Sequence, residues 1–336
     1  MDKPRVLVDP HARTMAEVFS PRDLDRLHET VDVVWGRDEP IAVEDAQEAM
    51  ADVTAVVAYG WRYGRLPERT PNLRAIIDVA GGMPRGLDYD DCFARGIRVM
   101  SAAPSFARQV AEMALGLALA SSRDIVSGDT AMRRGDERWL HAGTVDSFLL
   151  FDQPVGMIGY GSIARSLRPL LAPFDCPIFA YDPWLADGYL RSQGVQPATL
   201  EHLLGTSRVI FVLAVPSAEN KALLTRELLE MIRPDAVLVL VSRAHVVDFD
   251  ALTEFVSAGR FKAAIDVFPT EPLPLDHPIR RAPGTVLSAH HAGAVKEGLW
   301  ELGEYVVDDL EAIARNLPPQ RLQVAAPELI GRLMGR

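Results

Sequence analysis

The sequence predicts an α/β fold made of two doubly wound parallel sheets, because strand-like apolar runs alternate with helical patterns in two successive series. The first series occupies roughly the first hundred of the 336 residues, and the second lies between residues 155 and 288. Parallel strands need a long crossover between them, which is usually a helix, so this alternation favours parallel over antiparallel pairing. A length of 336 residues also suits about two domains.

The first series contains short runs of mostly β-branched or apolar residues, separated by polar or helical stretches. The candidate strands are residues 6–9, 31–35, 53–58, 73–77 and 97–100, with helices that include 24–28 and 43–50. No complete glycine fingerprint for a phosphate-binding turn occurs in this part, so we do not expect it to bind a nucleotide. Residues 110–121 follow as a mostly apolar helix, which is predicted to be buried and to connect the two domains.

The second series begins after a mixed segment, residues 124–150, that contains several arginines and Trp139. The candidate strands are residues 155–159, 178–182, 209–213, 237–241, 263–267 and 285–288. A helix from about residue 295 to 315 is then predicted to return to the first domain, where the last residues of the chain pack.

Composition places the chain among ordinary globular proteins and argues against several classes of partner. Hydrophobic residues make up 48% and charged residues 24%, and the formal net charge of −11 disfavours a nucleic-acid surface or an anionic membrane. Cys92 and Cys176 are the only cysteines, too few for a disulfide framework and without metal-ligand spacing, so no metal site is expected. The sequence shows no signal-peptide pattern and no apolar run long enough to span a bilayer, so we expect a soluble cytoplasmic protein.

The first strand of the second series leads into the most informative motif of the chain, a glycine-rich turn that opens a helix. Gly159 permits a tight turn, and Gly161 lets the backbone approach a pyrophosphate, which the free amides of the helix N-terminus favour. Ala164 stands at the third glycine position and still allows close packing. An ordinary β-turn-α unit is the alternative, but the acid at the end of the next strand favours dinucleotide binding. The predicted cofactor contacts here are Gly159, Gly161, Ser162, Ile163 and Asp182.

Asp182 also predicts which dinucleotide is preferred. A carboxylate about twenty residues after the turn can accept hydrogen bonds from both hydroxyls of an adenosine ribose, and it repels a 2′-phosphate. Pro183 and Trp184 follow, so no cation stands immediately after the acid. We therefore expect NAD in preference to NADP, with a loop-capping role as the alternative for Asp182.

Three polar residues follow predicted strand ends in the second series: Arg243, Glu271 and His290. In open α/β sheets, ligands bind outside the carboxyl ends of the strands. An arginine can bind a carboxylate with two hydrogen bonds, a histidine can transfer a proton near neutral pH, and a glutamate beside it favours the charged imidazolium. Taken singly, each has an ordinary alternative: a surface arginine, a solvated glutamate in a proline-rich loop, and a histidine that caps a turn.

Several motifs together give the chain a resemblance to the D-isomer-specific 2-hydroxyacid dehydrogenase family, of the glyoxylate/hydroxypyruvate reductase kind. They occur in the family's order and spacing over roughly residues 70 to 310. The matching segments are Val110-Ala111-Glu112, the Gly159-x-Gly161 turn with Tyr181-Asp182-Pro183, Met231-x-x-Pro234, Ser242-Arg243-Ala244-x-x-Val247-Asp248, Asp266-Val267-Phe268-x-x-Glu271-Pro272 and Ser288-Ala289-His290-His291-Ala292-Gly293.

The resemblance implies two Rossmann-like domains, with the coenzyme domain inserted into the substrate domain. We place the NAD-binding domain at residues 104–293 and the substrate domain at residues 1–103 and 294–336. The segment of residues 124–150 resembles the family's dimer-forming arm, so the resemblance implies a homodimer. Trp139 is then expected to pack in the dimer interface rather than to take part in catalysis.

The resemblance also implies a role for each site residue. His290 matches the general acid/base, Glu271 the residue that holds and charges it, and Arg243 the group that grips the substrate's carboxylate and 2-oxygen. The pattern His-x-Ala-Gly selects His290, although His291 is its neighbour and could exchange roles with it. Asp266 is implied to face the nicotinamide carboxamide. The other implied contacts are Val215, Pro216, Val241 and Ser242 for the cofactor, and the backbone N–H groups of Ala80, Gly81 and Gly82 for the substrate carboxylate.

Three segments depart from the family pattern. The usual Gly-x-Gly-x-Asp-Asn loop is GGMPRG at residues 81–86, where Arg85 is either a second substrate-binding cation or a solvent-facing residue. The usual Asn-Thr-Ala-Arg-Gly is LVSRA at residues 240–244, and His-x-Pro-Leu-Thr is AVPS at residues 214–217. The change in the loop of residues 81–86 predicts altered specificity. The other two changes remove polar groups near the nicotinamide but keep Arg243 and Pro216, so catalysis is expected to survive with altered efficiency.

The resemblance thus implies an oxidoreductase that transfers a hydride between NAD(H) and a small 2-oxo or 2-hydroxy acid, such as glyoxylate, hydroxypyruvate or a sugar-derived acid. An NAD(H)-sensing regulatory protein on the same scaffold is the alternative. Retention of Arg243, Glu271 and His290 favours the enzyme.

Overall fold

A computed structural model describes residues 3–215, 217 and 222–334. The chain divides into two compact units, one formed by the residues before Arg108 together with Gly293–Met334, and the other by Arg108–Ala292. The breaks therefore fall after residues 107 and 292, where the sequence placed them after residues 103 and 293.

The first unit begins with short strands separated by helices. Its elements before the chain leaves it are β1 (Arg5–Asp9), α1 (Met15–Val18), α2 (Pro21–Thr30), β2 (Asp32–Trp35), α3 (Val43–Met50), β3 (Ala55–Ala58), β4 (Ala75–Asp78), α4 (Tyr89–Ala94) and β5 (Arg98–Ser101). A short 3₁₀ turn, Ala103–Phe106, follows.

The second unit repeats the alternation of strands and helices. Its elements are α5 (Ala107–Ser122), α6 (Ile125–Arg134), β6 (Val155–Ile158), α7 (Ser162–Leu171), β7 (Ile178–Tyr181), α8 (Asp187–Ser192), β8 (Gln196–Pro197), α9 (Leu200–Thr206), β9 (Val209–Val212), α10 (Arg226–Glu230), β10 (Val237–Leu240), α11 (Phe249–Ser257), β11 (Lys262–Ile265) and β12 (Thr285–Leu287). Short 3₁₀ turns lie at Leu140–Gly143, Ala172–Phe174, Ala244–Val246 and Pro278–Arg281.

The chain then re-enters the first unit through α12 (Lys296–Ala314), followed by β13 (Gln323–Val324) and α13 (Pro327–Met334). Leu302, Val306 and Leu310 of α12 are buried in the same apolar cluster as Val6 and Val8 of β1. This packing places α12 in the first unit.

Among the described residues, the sheet of the first unit has the strand order β13-β5-β4-β3-β1-β2. Its strands are parallel, except that β13 runs antiparallel to β5. The order 2-1-3-4-5 of the parallel strands is that of a doubly wound sheet, with its switch point beside β1.

The sheet of the second unit has the order β12-β11-β10-β9-β6-β7-β8 in the described part of the chain, and its strand pairs are all parallel. Counted from β6, this is the order 3-2-1-4-5-6 of a dinucleotide-binding sheet with one further strand, and its switch point lies between β6 and β9. The predicted class of two doubly wound parallel sheets is confirmed.

The sequences of the central strands follow from their burial on both faces. β3 and β10, with the sequences AVVA and VLVL, are buried at every residue, because helices cover each side of a parallel sheet. Their branched side chains also suit an extended backbone. None of the described helices combines the length and the apolar character that crossing a membrane requires.

Candidate active site and dinucleotide turn

The glycine turn joins β6 to α7 at the switch point of the second sheet. Gly159 adopts a φ of +89°, which side chains with a Cβ atom rarely tolerate. A Cβ atom there would also lie 2.7 Å from the backbone N and Cα atoms of Ala214 at the end of the neighbouring strand. The turn therefore requires glycine at this position.

Gly161, two residues further on, lies in open space, unlike the crowded Gly159. A Cβ atom at Gly161 would have no atom within 4 Å, and no side chain caps the N-terminus of the ten-residue helix α7. Open space in front of the amides of Ser162 and Ile163, at the positive end of the helix dipole, fits the approach of a pyrophosphate. Ala164, at the third glycine position, is fully buried.

Asp182 follows β7 at the same edge of the sheet. Its Oδ2 atom accepts a hydrogen bond of 2.8 Å from the Tyr160 N–H, and its Oδ1 atom accepts one of 2.9 Å from the Trp184 N–H. These two bonds fix the carboxylate beside the glycine turn. Each oxygen has a second lone pair, so the group can still accept hydrogen bonds from a ribose.

The remaining predicted cofactor contacts lie at the ends of the central strands. Val215 is exposed, whereas Val241 and Ser242 after β10 are buried. The Ser242 hydroxyl is buried without a hydrogen-bond partner among the described residues, so it is a polar group that a ligand could satisfy. Pro216 lies outside the described residues.

Asp266 is fully buried at the end of β11, and both its carboxylate and its carbonyl oxygen accept hydrogen bonds from the turn that carries His290. Its carboxylate accepts the N–H groups of His291 and Ala292, at 2.9 Å and 3.1 Å, and its carbonyl accepts the N–H of His290. His290 itself has a left-handed φ of +56°. Asp266 therefore positions this turn, and its implied contact with the nicotinamide carboxamide remains a prediction.

Arg243, Glu271 and His290 follow β10, β11 and β12, which are neighbouring parallel strands. Because the carboxyl ends of such strands meet at one edge, the three side chains share the edge that carries the glycine turn. Arg243 is exposed, and its Nη1 atom donates to the carbonyl of Ser242 at 2.8 Å.

The central contact of the site joins Glu271 to His290. Glu271 Oε2 lies 2.7 Å from His290 Nδ1, and Glu271 Oε1 accepts the Phe268 N–H at 2.9 Å. The backbone thus holds the glutamate, and the glutamate holds the imidazole, which leaves Nε2 of His290 for a substrate. His291 has an exposed side chain and makes no such pair in the described structure, so the geometry selects His290 of the two neighbours.

The electrostatics of the site favour an ionised glutamate. Partial burial acts to raise the pKa of Glu271, but the hydrogen bonds from His290 and the Phe268 N–H, with the charge of Arg243, outweigh it and leave that pKa below its usual value. The carboxylate therefore remains charged through the neutral range, where it can stabilise a protonated imidazole.

The predicted substrate loop, residues 80–82, belongs to the first unit and follows β4. The Ala80 N–H donates to Asp78 Oδ1 at 2.7 Å, and the Gly60 N–H donates to Asp78 Oδ2 at 3.0 Å. The Ala80 amide is thus already engaged, which differs from the expectation that all three amides are available to a substrate. Gly81 has a φ of +96°, and a Cβ atom on it would lie 3.1 Å from the ring of Phe106.

Sequence reasoning missed the groups that hold these side chains in place. The N–H groups of Phe268, Tyr160 and Trp184 carry no residue-specific signal, since any amino acid except proline supplies one. Asp78 did carry a signal, because it is an acid at the end of a buried apolar run. In the described structure no group of three or more histidine, cysteine or acidic side chains is arranged to hold a metal ion.

Comparison with known proteins agrees with the geometry. Residues 115–292 match the family model for "D-isomer specific 2-hydroxyacid dehydrogenase, NAD binding domain". This match covers more than half of the chain and most of the second unit.

Two curated relatives match over nearly the whole chain. The D-3-phosphoglycerate dehydrogenase of Mycobacterium tuberculosis is 27% identical over 316 residues, which cover 92% of this chain and 58% of the relative. The glyoxylate reductase of Korarchaeum cryptofilum is 28% identical over 324 residues, with coverage of 94% and 95%. The chain thus spans somewhat more than half the length of the phosphoglycerate dehydrogenase that it matches.

Solved structures show the same architecture. A phosphoglycerate oxidoreductase from Rhizobium etli is 35% identical, with a TM-score of 0.83 and coverage of 96% of this chain and 99% of the other. An NADPH-dependent glyoxylate/hydroxypyruvate reductase from Sinorhizobium meliloti, in complex with NADP and malonate, is 25% identical, with a TM-score of 0.67 and coverage of 93% of each chain.

Proposed function

Because the chain belongs to the D-isomer specific 2-hydroxyacid dehydrogenase family, we propose that it catalyses reversible hydride transfer between NAD(H) and a small 2-oxo or 2-hydroxy acid. The Glu271–His290 pair, beside Arg243 at the edge that carries the glycine turn, is the observation that supports this most directly. Glyoxylate, hydroxypyruvate and sugar-derived acids are the candidate substrates. A purely regulatory role is not favoured, since the relatives are named as reductases and dehydrogenases.

In this reaction Arg243 and His290 act on the substrate, and Glu271 holds His290. In the reducing direction, a bound nicotinamide supplies a hydride to the 2-oxo carbon. Arg243 pairs with the substrate's carboxylate and stabilises the negative charge that develops on the 2-oxygen. His290, held through Nδ1 by Glu271, donates a proton from Nε2 to that oxygen.

Nicotinamide absorbance at 340 nm tests the proposal, with purified protein, NADH or NADPH, and 2-oxo acids that range from glyoxylate to bulky aromatic ones. We expect turnover with at least one small 2-oxo acid, and loss of that turnover in Arg243→Gln. Turnover of none of these acids by a protein that still binds NADH would overturn the enzymatic proposal in favour of a binding role.

Within this proposal, we assign the coenzyme to the unit Arg108–Ala292 and prefer NAD to NADP. The Asp182 carboxylate supports this preference because a fixed negative charge opposes a 2′-phosphate. Asp182→Asn keeps an acceptor oxygen but removes the charge, so it should raise kcat/KM with NADPH relative to NADH by about tenfold. Asp187→Asn, at an exposed acid on α8, is the matched control, and equal kcat/KM for both cofactors in the unaltered protein would contradict the preference.

We further propose a homodimer formed through the arm of residues 124–150. Helix α6 has no buried residue, and Ile125, Met132 and Leu140 of the arm are exposed. Sedimentation should give a dimer that Leu140→Glu weakens. Leu275→Glu is the control, because both leucines are 87% exposed and Leu275 lies outside the arm. A monomer at micromolar concentration would contradict the assignment.

A cytoplasmic location completes the proposal. Cys92 and Cys176 are both free thiols, which suits a reducing compartment. Recovery of the protein in a periplasmic or extracellular fraction would contradict this.

A further inference from the structure

Arg13 stands at the carboxyl edge of the first sheet, in the turn that follows β1. Its Nη1 atom donates to the carbonyl of Val79, the residue before the predicted substrate loop, at 2.8 Å. Its guanidinium carbon lies 5.3 Å from the ring centroids of both Tyr59 and Phe106. A hydrogen bond and two rings thus hold this cation beside the loop of residues 80–82.

The guanidinium is half-buried and has donors to spare. It carries five N–H groups, and its one hydrogen bond from the side chain among the described residues is the bond to Val79. Burial lowers the pKa of Arg13, while Tyr59, Glu17 and Asp78 act in the opposite direction from a distance. Among the described residues, no ion pair includes Arg13, so its remaining N–H groups are not committed to a carboxylate of the protein.

The adjacent loop, residues 80–82, lies next to a negative charge and has amides that are already in use. Asp78 places a buried carboxylate behind it, and the Ala80 amide is already bonded to that carboxylate. A substrate carboxylate that approaches the loop therefore meets a like charge and amides that already interact with Asp78. A cation fixed on Val79 supplies what the loop lacks.

We propose that Arg13 is a substrate-binding residue that holds a carboxylate of the 2-oxo acid at the loop of residues 80–82. This rests on the proposed function and names one further residue that binds its substrate. The carboxylate is either the one attached to the 2-oxo carbon or a second one at the far end of a dicarboxylic substrate. An arginine suits this task because its planar fork matches both oxygens of a carboxylate.

Binding of malonate, measured by calorimetry in the presence of NADH, tests Arg13 without any need for turnover. Arg13→Gln should weaken malonate binding about 10- to 100-fold, the scale of a charged hydrogen bond, and Arg13→Lys should restore part of it. Arg37→Gln is the control, because Arg37 also stacks on a ring of the first unit, that of Trp35, but is exposed. Unchanged malonate affinity in Arg13→Gln would overturn the proposal.

Chemical modification gives a second test that requires no variant to fold. Phenylglyoxal modifies arginines, and mass spectrometry resolves each site. Malonate should slow the modification of Arg13 at least severalfold and leave Arg37 unaffected. Equal rates at Arg13 with and without malonate would count against the proposal.

Kinetics then distinguish the two sources of the carboxylate. If Arg13→Gln raises KM for glyoxylate and hydroxypyruvate as well as for oxaloacetate, with the KM for NADH unchanged, the residue binds the carboxylate beside the 2-oxo group. If KM rises for oxaloacetate alone, it binds the second carboxylate. Malonate binding that depends on Arg13 in a protein without turnover would reject the proposed reaction but retain the anion site, whereas unchanged KM values for all three acids would remove Arg13 from the substrate site.

Discussion

The two sheets have the same architecture, but their carboxyl edges are prepared differently. At the edge of the second sheet, Gly161 opens α7 without a side-chain cap, so the amides of its first turn remain available. At the edge of the first sheet, the Ala80 amide is already bonded to Asp78. One edge is thus open to an external anion, and the other is partly occupied by an acid of its own.

The difference shows that a sheet edge becomes a ligand site through its loops rather than through its topology. Both edges hold carboxylates that accept backbone N–H groups, Asp182 and the buried Asp266 in one unit and the buried Asp78 in the other. Only in the second unit do these carboxylates leave a helix N-terminus and a histidine exposed. In the first unit, the half-buried guanidinium of Arg13 is the group with N–H donors left for a ligand.

The largest effect expected from this contrast is at His290. His290→Ala should lower kcat about 10²- to 10⁴-fold, the usual scale for a general acid or base. His291→Ala is the matched control, because this neighbour is exposed and does not contact Glu271. Steady-state kinetics of NADH oxidation check both variants. Equal losses of kcat in the two variants would show that His290 has no catalytic role that His291 lacks.

The next effect concerns the acid of the first edge. Burial raises the pKa of Asp78 from 3.8 to about 6, although backbone amides from Ala80, Gly60, Gly82 and Gly81 oppose this. The folded state then binds this proton more tightly than the unfolded state, so the stability it contributes is complete below about pH 4 and is lost as the pH rises through 6.

Asp78→Asn removes that titration and tests its sign. Between pH 4 and 7, the free energy of unfolding of the unaltered protein should fall relative to that of the variant by about 2 kcal/mol. Urea unfolding at several pH values measures the difference. If the difference in free energy of unfolding between the two proteins stayed constant with pH, Asp78 would not have the raised pKa on which this prediction depends.

Substitution of the two glycines of the second edge should affect different properties, protein stability at Gly159 and NADH affinity at Gly161. Gly159→Ala forces a Cβ atom against the Ala214 backbone at a positive φ, so it should lower the free energy of unfolding by about 1–3 kcal/mol. Gly161→Ala meets open space, so it should leave stability within about 0.5 kcal/mol and weaken NADH binding about tenfold.

Thermal unfolding and fluorescence titration with NADH measure the two quantities. If Gly161→Ala lowered stability as much as Gly159→Ala and left NADH affinity unchanged, the space in front of α7 would not be the cofactor site.

The sequence predicted the sheets well because their strands are uninterrupted apolar runs. β3 and β10 lie within the predicted segments, and the shared edge of Arg243, Glu271 and His290 followed from their places after parallel strands. The edge strands β8 and β13 were missed, since each has two residues and neither forms an apolar run.

The hydrogen bonds at the carboxyl edge of the first sheet also escaped prediction, but the reason differs from the one that applies to β8 and β13. Whether the Ala80 amide is free depends on Asp78, and the position of that acid depends on its second bond to Gly60, eighteen residues earlier in the chain. Arg13 likewise reaches Val79 only because β1, β3 and β4 lie side by side. Such contacts arise from tertiary packing, and no local pattern records them.

The smallest effect tests how the second edge uses its own acid. Glu271 has a lowered pKa and so remains a carboxylate well into the acid range, where it stabilises the protonated form of the imidazole that it touches. Glu271→Gln keeps a hydrogen-bond acceptor and removes the charge. The alkaline limb of kcat/KM for 2-oxo acid reduction should therefore move to lower pH.

The shift should be below about one pH unit, because the Glu271 and His290 side chains are 36% and 44% exposed and solvent screens their attraction. Stopped-flow or steady-state profiles between pH 5 and 9 measure it, with Glu301→Gln, at an acid of α12 in the other unit, as the control. An unshifted limb in Glu271→Gln would mean that the glutamate orients the ring without influencing its charge. A shift confined to Glu271→Gln would show that the second edge uses its acid to charge a catalytic group, whereas the first edge uses Asp78 to hold its own backbone.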